Sequence, residues 1–292
     1  MAAAFDRRIG GGRALPYGYI GPAVIAVSVA YVYPLVDVVL RSLQSQAVKG
    51  YSLYNYRSLV HDPLFRTSFT NNAKFGLAVP VLLVLGLVLA LLLYEQLPGW
   101  RIHRALIFLP YVVAIPVAGI AFANVFAYRG PLNAILQSVG LINSPIDWLG
   151  NPATSIPVVA GVIVWREVGF VVVILLARLT SIDRSLLEAA QVDGATRWRS
   201  HRHITLPLLR PTLLFLALIE LITVFSWIFS YVYTMTGGGP ANSTSIIELY
   251  IWQTAFVYNA PGLASALAVT LLVLVATLVA TQIFIRSRVE VY

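Results

Sequence analysis

The sequence predicts an all-α membrane protein that crosses the bilayer six times. Three observations carry this. Hydrophobic residues make up 59% of the 292-residue chain and charged residues only 11%, whereas soluble domains average about 25% charged. Apolar runs long enough to span a bilayer as helices lie near 17–40, 72–94, 104–127, 156–179, 208–234 and 262–285. Runs such as 79–93 and 263–281 do not alternate, as strands of a membrane barrel would. A helix then remains as the way to satisfy every backbone group in lipid.

The elements follow in order. Arg7, Arg8 and Arg13 precede the first apolar run. That run is too long for the core of a cleaved leader, so it reads as a retained first helix. The segment 41–71 is polar and aromatic, with Tyr51, Tyr54, Tyr56 and Phe65. The segment 128–155 carries Gly130, Pro131, Pro145, Trp148 and Pro152. Both suit turns and the membrane–water interface. With the N-terminus inside, thirteen arginines fall on the cytoplasmic side and six basic residues outside. That bias predicts both termini in the cytoplasm. It also explains the net charge of +8 without any nucleic-acid partner. The whole chain, 1–292, reads as one membrane domain. Cysteine is absent, which excludes disulfides and thiolate metal sites.

The inner segment 183–206 stands apart because it has helical periodicity. Ser185 and Glu188 have the spacing of a capping box. Ala189 and Ala190 favour helix. Asp193-Gly194 reads as a break, with Asp193 capping a second short helix. Trp198, His201 and Ile204 would then share a face, and Pro207 would open the next membrane helix. The expected shape is a helix–turn–helix elbow. An amphipathic loop lying on lipid headgroups through Arg197, Arg199 and Arg202 fits the same composition.

Glu188-Ala189-Ala190, Asp193-Gly194-Ala195 and Ile204-Thr205-Leu206-Pro207 resemble the "EAA" loop of ABC-importer permease subunits. Thr236-Gly237-Gly238-Gly239-Pro240, Ser243-Thr244, Ala255-Phe256, Gly262 and Ala264-Ser265-Ala266 resemble the carbohydrate branch, with its maltose-type and glycerol-phosphate-type permeases. Leu109-Pro110-Tyr111 is similar too. Two positions depart: His201 stands where many relatives have Phe, and Ser230 where they often have Asp.

The resemblance implies a type I importer-like permease in the cytoplasmic membrane of a prokaryote. It implies a coupling site of Glu188, Ala189, Ala190, Asp193, Gly194, Ala195, Trp198, His201, Leu206 and Pro207, docked on an ATPase dimer. It also implies a second, homologous permease subunit and an extracytoplasmic solute-binding protein. The cargo would be a sugar, an oligosaccharide or a glycerol-phosphate-type solute. This chain would bind no cofactor, with ATP and Mg held by the partner ATPase.

Ionisable groups within membrane helices default to functional candidates. Glu220, Trp227 and Tyr231, spaced by 7 and 11 residues, would share a face of the fifth helix and line the pathway. Asn124 and Tyr128 are weaker pathway candidates. Alternatively Arg166 or Arg178 pairs with an acid to brace helices four and five, with Glu167 as the natural partner. Neither Lys49 nor Lys74 sits in a phosphate-binding loop. His61, His103, His201 and His203 form no metalloprotease pair, and His201 and His203 read as loop or docking residues. A stand-alone ion-coupled transporter is the rival class, and it would need internal repeats that the chain does not show.

Overall fold

The computed structural model describes residues 15–96 and 98–289. The N-terminal arginines Arg7, Arg8 and Arg13 lie outside the described residues. Among those residues every regular element is helical, and the β-pairing is a single bridge between Gln44 and Tyr51. Five helices are long and apolar enough to cross a membrane: Tyr19–Ser42, Pro63–Tyr94, Pro152–Thr180, Arg197–Val224 and Pro261–Ile285. A sixth crossing results if Trp100–Val112 and Ile115–Val125, bent by 97°, form one span. In chain order these are spans 1 to 6, with the bent pair third.

Three spans differ from their sequence-based limits. Span 2 begins at Pro63 rather than near 72, because Asp62 caps it by accepting from the Leu64 N–H (2.8 Å). Span 3 is broken rather than continuous over 104–127. Pro116 lacks the N–H that would bond to the Val112 carbonyl, and its ring crowds that oxygen. The helix therefore stops at Val112, and Val113 and Ala114 run extended. A new helix then carries Pro116 in its first turn, where proline is tolerated. Span 5 stops at Val224 rather than reaching 234; turns at 225–228 lead into a separate helix, Phe229–Met235. The Thr223 hydroxyl donates back to the Ile219 carbonyl (3.0 Å) in its last turn, a bond that bends helices.

Two of the prolines that spans pass through without breaking are preceded by a π-turn. A π-turn at Ser28–Val32 precedes Pro34, and another at His201–Thr205 precedes Pro207. The wider turn takes up the residue whose ring and missing N–H a regular helix rejects. Pro207 therefore does not start span 5. The helix already runs from Arg197.

Spans 2, 4 and 5 form the core. Leu82, Ala90, Val171, Leu175, Leu209 and Leu216 pack in one buried cluster, and Phe75, Val79, Ile163, Val224 and Tyr231 in another. Gly86 and Gly169 permit the close approach, because a Cβ at Gly86 would lie 2.4 Å from the Val171 Cγ1 and one at Gly169 2.6 Å from the Ile107 carbonyl. Span 1 contributes no buried residue to its apolar window and rests on span 6.

Backbone groups freed at the breaks find side-chain partners. Asn72 Nδ2 donates to the Val224 carbonyl (3.1 Å) and to Glu248 Oε2 (3.2 Å), while Asn72 Oδ1 accepts from the Ile247 N–H (2.9 Å). Asn71 Nδ2 donates to the carbonyls of Asn242 and Ser245 (3.0 and 2.9 Å). The glycine-rich segment beyond Met235 is thereby fixed, and Thr236 and Thr244 hydroxyls lie 2.7 Å apart within it.

Replacing Asn72 by leucine strands the Val224 carbonyl and the Ile247 N–H, each at a cost of about 1–3 kcal/mol. The expected result is a clear drop in the melting temperature of the detergent-purified protein. Exposed Asn124→Leu, whose amide bonds only within its own helix, serves as the control with little change.

Candidate functional site

The elbow begins with the helix Arg184–Val192. Its cap is Asp183, which accepts from the Ser185 N–H (3.0 Å), and not Ser185 as the capping-box spacing predicts. Asp183 has the extended backbone a cap needs and brings a full charge to the helix N-terminus. The Ser185 N–H holds its carboxyl below the usual carboxylate range, so the cap stays ionised near neutral pH.

The first helix ends in a Schellman motif. Ala195 N–H bonds to the Ala190 carbonyl (2.8 Å) and Gly194 N–H to the Gln191 carbonyl (3.0 Å). Gly194 sits at φ +80°, a conformation other residues resist. That turn leaves Asp193 as the C-cap of the first helix rather than the cap of the second. Thr196 takes the latter role, accepting from the Arg199 N–H (3.3 Å).

From Arg197 the second helix continues into span 5 without interruption. Trp198 is 73% exposed, whereas His201 and Ile204 are half-buried. Trp198 and His201 line one apolar cavity, and the π-turn at 201–205 lies between them and Ile204 in register. Leu186, Val192 and Trp198 leave apolar surface exposed on the elbow. Glu188 is exposed, as are Ala189, Asp193, Gly194, Leu206 and Pro207, while Ala190 and Ala195 are half-buried.

His201 lies against the end of span 2 rather than at the tip of the elbow. Arg197 Nη1 donates to Glu95 Oε2 (2.5 Å), and His201 Nε2 lies 3.4 Å from Glu95 Oε1. A polar cavity of about 380 Å³ opens beside this group, lined by Glu95, Glu188, Gln191, Arg197, Ser200 and His201. An apolar cavity of about 230 Å³ lies on its other side, against Leu87, Leu91, Trp198 and Leu209.

Within the membrane, Arg166 anchors a second group. Its Nε donates to the Val113 carbonyl (2.9 Å), which the break in span 3 sets free, and its Nη1 to Glu167 Oε1 (2.6 Å). Its guanidinium lies over the Tyr111 ring, 4.9 Å from the centroid. Tyr231 OH reaches the same Glu167 oxygen at 3.5 Å. The brace thus joins span 4 to span 3 and to the helix after span 5. Among the described residues Arg178 pairs with no acid; its Nη1 donates to Ser181 Oγ.

Glu220, Trp227 and Tyr231 do not share a face, since the helix ends between them. Glu220 and Tyr231 are buried and Trp227 is 64% exposed. Asn124 and Tyr128 are both exposed, but the helix carrying Asn124 ends at Val125. Sequence reading missed Asn71, Asn72 and Glu95. The polar run Thr70-Asn71-Asn72 was the available signal, hidden because the apolar window was drawn from its end.

The model of a family described as "Binding-protein-dependent transport system inner membrane component" matches residues 59–288. The chain is 33% identical over 245 residues to the lactose transport system permease protein LacF of Rhizobium radiobacter, covering 82% of each chain. It is 33% identical over 287 residues to the sulfoquinovosyl glycerol transport system permease protein SmoG of Agrobacterium fabrum, covering 94% of this chain and 91% of that one. Its fold matches a chain of a bacterial ABC transporter that imports the acidic polysaccharide alginate, with a TM-score of 0.85 at 23% identity, over 94% of this chain and 95% of that one.

Removing one member of a buried ion pair costs about 3–5 kcal/mol, whereas removing both costs far less. Arg166→Met is therefore expected to lower the melting temperature sharply, and Arg166→Met with Glu167→Gln to recover much of the loss. Thermal unfolding of the three proteins in detergent checks the order.

Proposed function

The chain belongs to the family of binding-protein-dependent transport system inner membrane components, and on that premise we propose how its geometry serves import. It is a multi-pass permease of an ATP-driven importer in the cytoplasmic membrane. Both termini face the cytoplasm, and the elbow 183–206 is the coupling site. A second permease completes the pathway, and a solute-binding protein delivers cargo from outside. ATP and Mg reside in the partner ATPases, which dock on the elbow. The names of relatives such as LacF and SmoG support a sugar or glycoside as cargo.

One observation carries the mechanism: the second helix of the elbow and span 5 are a single helix, Arg197–Val224. A displacement at the elbow is therefore delivered along the span as a rigid lever rather than lost in a loop. Leu186, Val192 and Trp198 supply exposed apolar surface for the ATPase to grip, with Glu188, Ala189 and Ala190 on the helix between. The Gly194 turn sets the angle between the two elbow helices.

At the far end the lever meets the break at 225–228. The breaks at 113–114 and 225–228 are the points where spans 3 and 5 change angle between inward-open and outward-open states. Arg166, Glu167, Glu220 and Tyr231 act as the interior brace between these breaks. Exposed Asn124, Tyr128 and Trp227 are the pathway candidates, where polar groups and an aromatic face suit a sugar's hydroxyls and apolar side.

Proline at position 194 loses the N–H bonded to the Gln191 carbonyl and cannot adopt positive φ. Backbone strain of this kind is on the order of 1–3 kcal/mol, which corresponds to about 5- to 150-fold in an equilibrium. In the reconstituted importer, Gly194→Pro is expected to leave ATP hydrolysis running while uptake falls by about that factor. Uptake undiminished would remove the elbow from the mechanism. The purified chain alone in liposomes is expected to move no solute under an imposed proton or sodium gradient, and gradient-driven flux would contradict the importer reading.

A further inference from the structure

We propose that Glu95 is a second coupling residue, locking the elbow to span 2 so that spans 2 and 5 move as one unit. The proposal rests on the coupling reading of the elbow. Glu95 closes span 2 as its C-cap. Its carboxylate faces two side chains of the elbow: Oε2 accepts from Arg197 Nη1 at 2.5 Å, and Oε1 lies 3.4 Å from His201 Nε2. Arg197 and His201 are four residues apart on one helix, so both side chains point to the same side.

Deeper in the membrane span 5 packs on span 2, with Leu209 and Leu216 in one buried cluster with Leu82 and Ala90. At the elbow the packing is open, with a polar cavity beside Glu188 and Gln191 and an apolar one beside Leu87 and Leu91. The carboxylate of Glu95 therefore extends the contact between the two helices out to the elbow.

The other end of the same helix explains why this matters. Asn72, also on span 2, donates to the Val224 carbonyl at the outer break of span 5 (3.1 Å). At about 1.5 Å per residue, Asn72 and Glu95 are separated by about 35 Å along the helix. Span 2 thus holds span 5 near both ends, by an amide at the break and by an ion group at the elbow. The ion group is partly hydrated, with Arg197 77% and Glu95 28% exposed. Its contribution to folding stability is accordingly small, and its role is positional.

The absence of cysteine makes the test direct. Spin labels are placed on cysteines introduced at exposed positions in the assembled importer. One pair, Arg199→Cys with Val81→Cys, reports the elbow against span 2. A second pair, Arg199→Cys with Leu272→Cys, reports the elbow against span 6. Pulsed dipolar distances are recorded with and without ATP and Mg.

The elbow–span 6 distance is expected to change on ATP binding, while the elbow–span 2 distance holds within about 1 Å, less than an ordinary helix shift. Glu95→Gln is expected to let the elbow–span 2 distance shift by about 2 Å or more, with the melting temperature unchanged. The reversed pair, Glu95→Arg with Arg197→Glu, is expected to restore the fixed distance, whereas Arg197→Glu alone is not. An elbow–span 2 distance that stays fixed in Glu95→Gln overturns the lock, as does a reversed pair that behaves like the single variants. An elbow–span 6 distance indifferent to ATP overturns the coupling reading itself, a separate failure.

Discussion

A backbone carbonyl inside a bilayer has no water to turn to, and the architecture of this protein is arranged around that fact. Each broken span releases such a group. The break in span 3 frees the Val113 carbonyl, and Arg166 Nε takes it. The break in span 5 frees the Val224 carbonyl, and Asn72 Nδ2 takes it. An unsatisfied group in hydrocarbon is costly, so each break is stabilised by its partner. The partners come from spans 4 and 2, which pack at the centre of the molecule. Breaks and core are therefore one design: the core supplies the donors, and the donors permit the breaks.

The two donors differ in what they bring. Asn72 is neutral and satisfies three neighbours at once, so it acts as a fixed junction between span 2, span 5 and the segment at Ile247. Arg166 carries a charge into the membrane and needs compensation. Glu167 neutralises it at 2.6 Å and the Tyr111 ring lies under its guanidinium. A buried pair of this kind is weak evidence for stability, because desolvation consumes much of the attraction. It is better understood as fixing one arrangement of spans 3 and 4 and of the helix carrying Tyr231.

At the elbow the dominant constraint is continuity. A proline that would ordinarily end a helix is absorbed by the π-turn at His201–Thr205, so the second elbow helix and span 5 stay a single body. Gly194 provides the sharp reversal before it, and the ion group on Glu95 ties it sideways to span 2. Apolar side chains left exposed at Leu186, Val192 and Trp198 are otherwise hard to explain on a surface that stands outside the lipid-spanning core.

Hydropathy and spacing made the helical class, the approximate spans and the elbow legible, because burial in lipid and the left-handed turn at Gly194 are local demands that each residue meets by its own chemistry. The family motif was legible as a resemblance: its alanines lie in the first elbow helix and its glycine in the left-handed turn, while its proline lies inside the helix that continues as span 5. Position on a face was not legible. The reading of Glu220, Trp227 and Tyr231 as one stripe assumed an unbroken helix, which ends at Val224. Pro116 marks one break locally, but what holds each break lies far away in the chain: 152 residues separate Asn72 from Val224 and 53 separate Arg166 from Val113. Periodicity cannot report a bond between distant residues, so what holds the bends and which acid meets His201 were settled by packing.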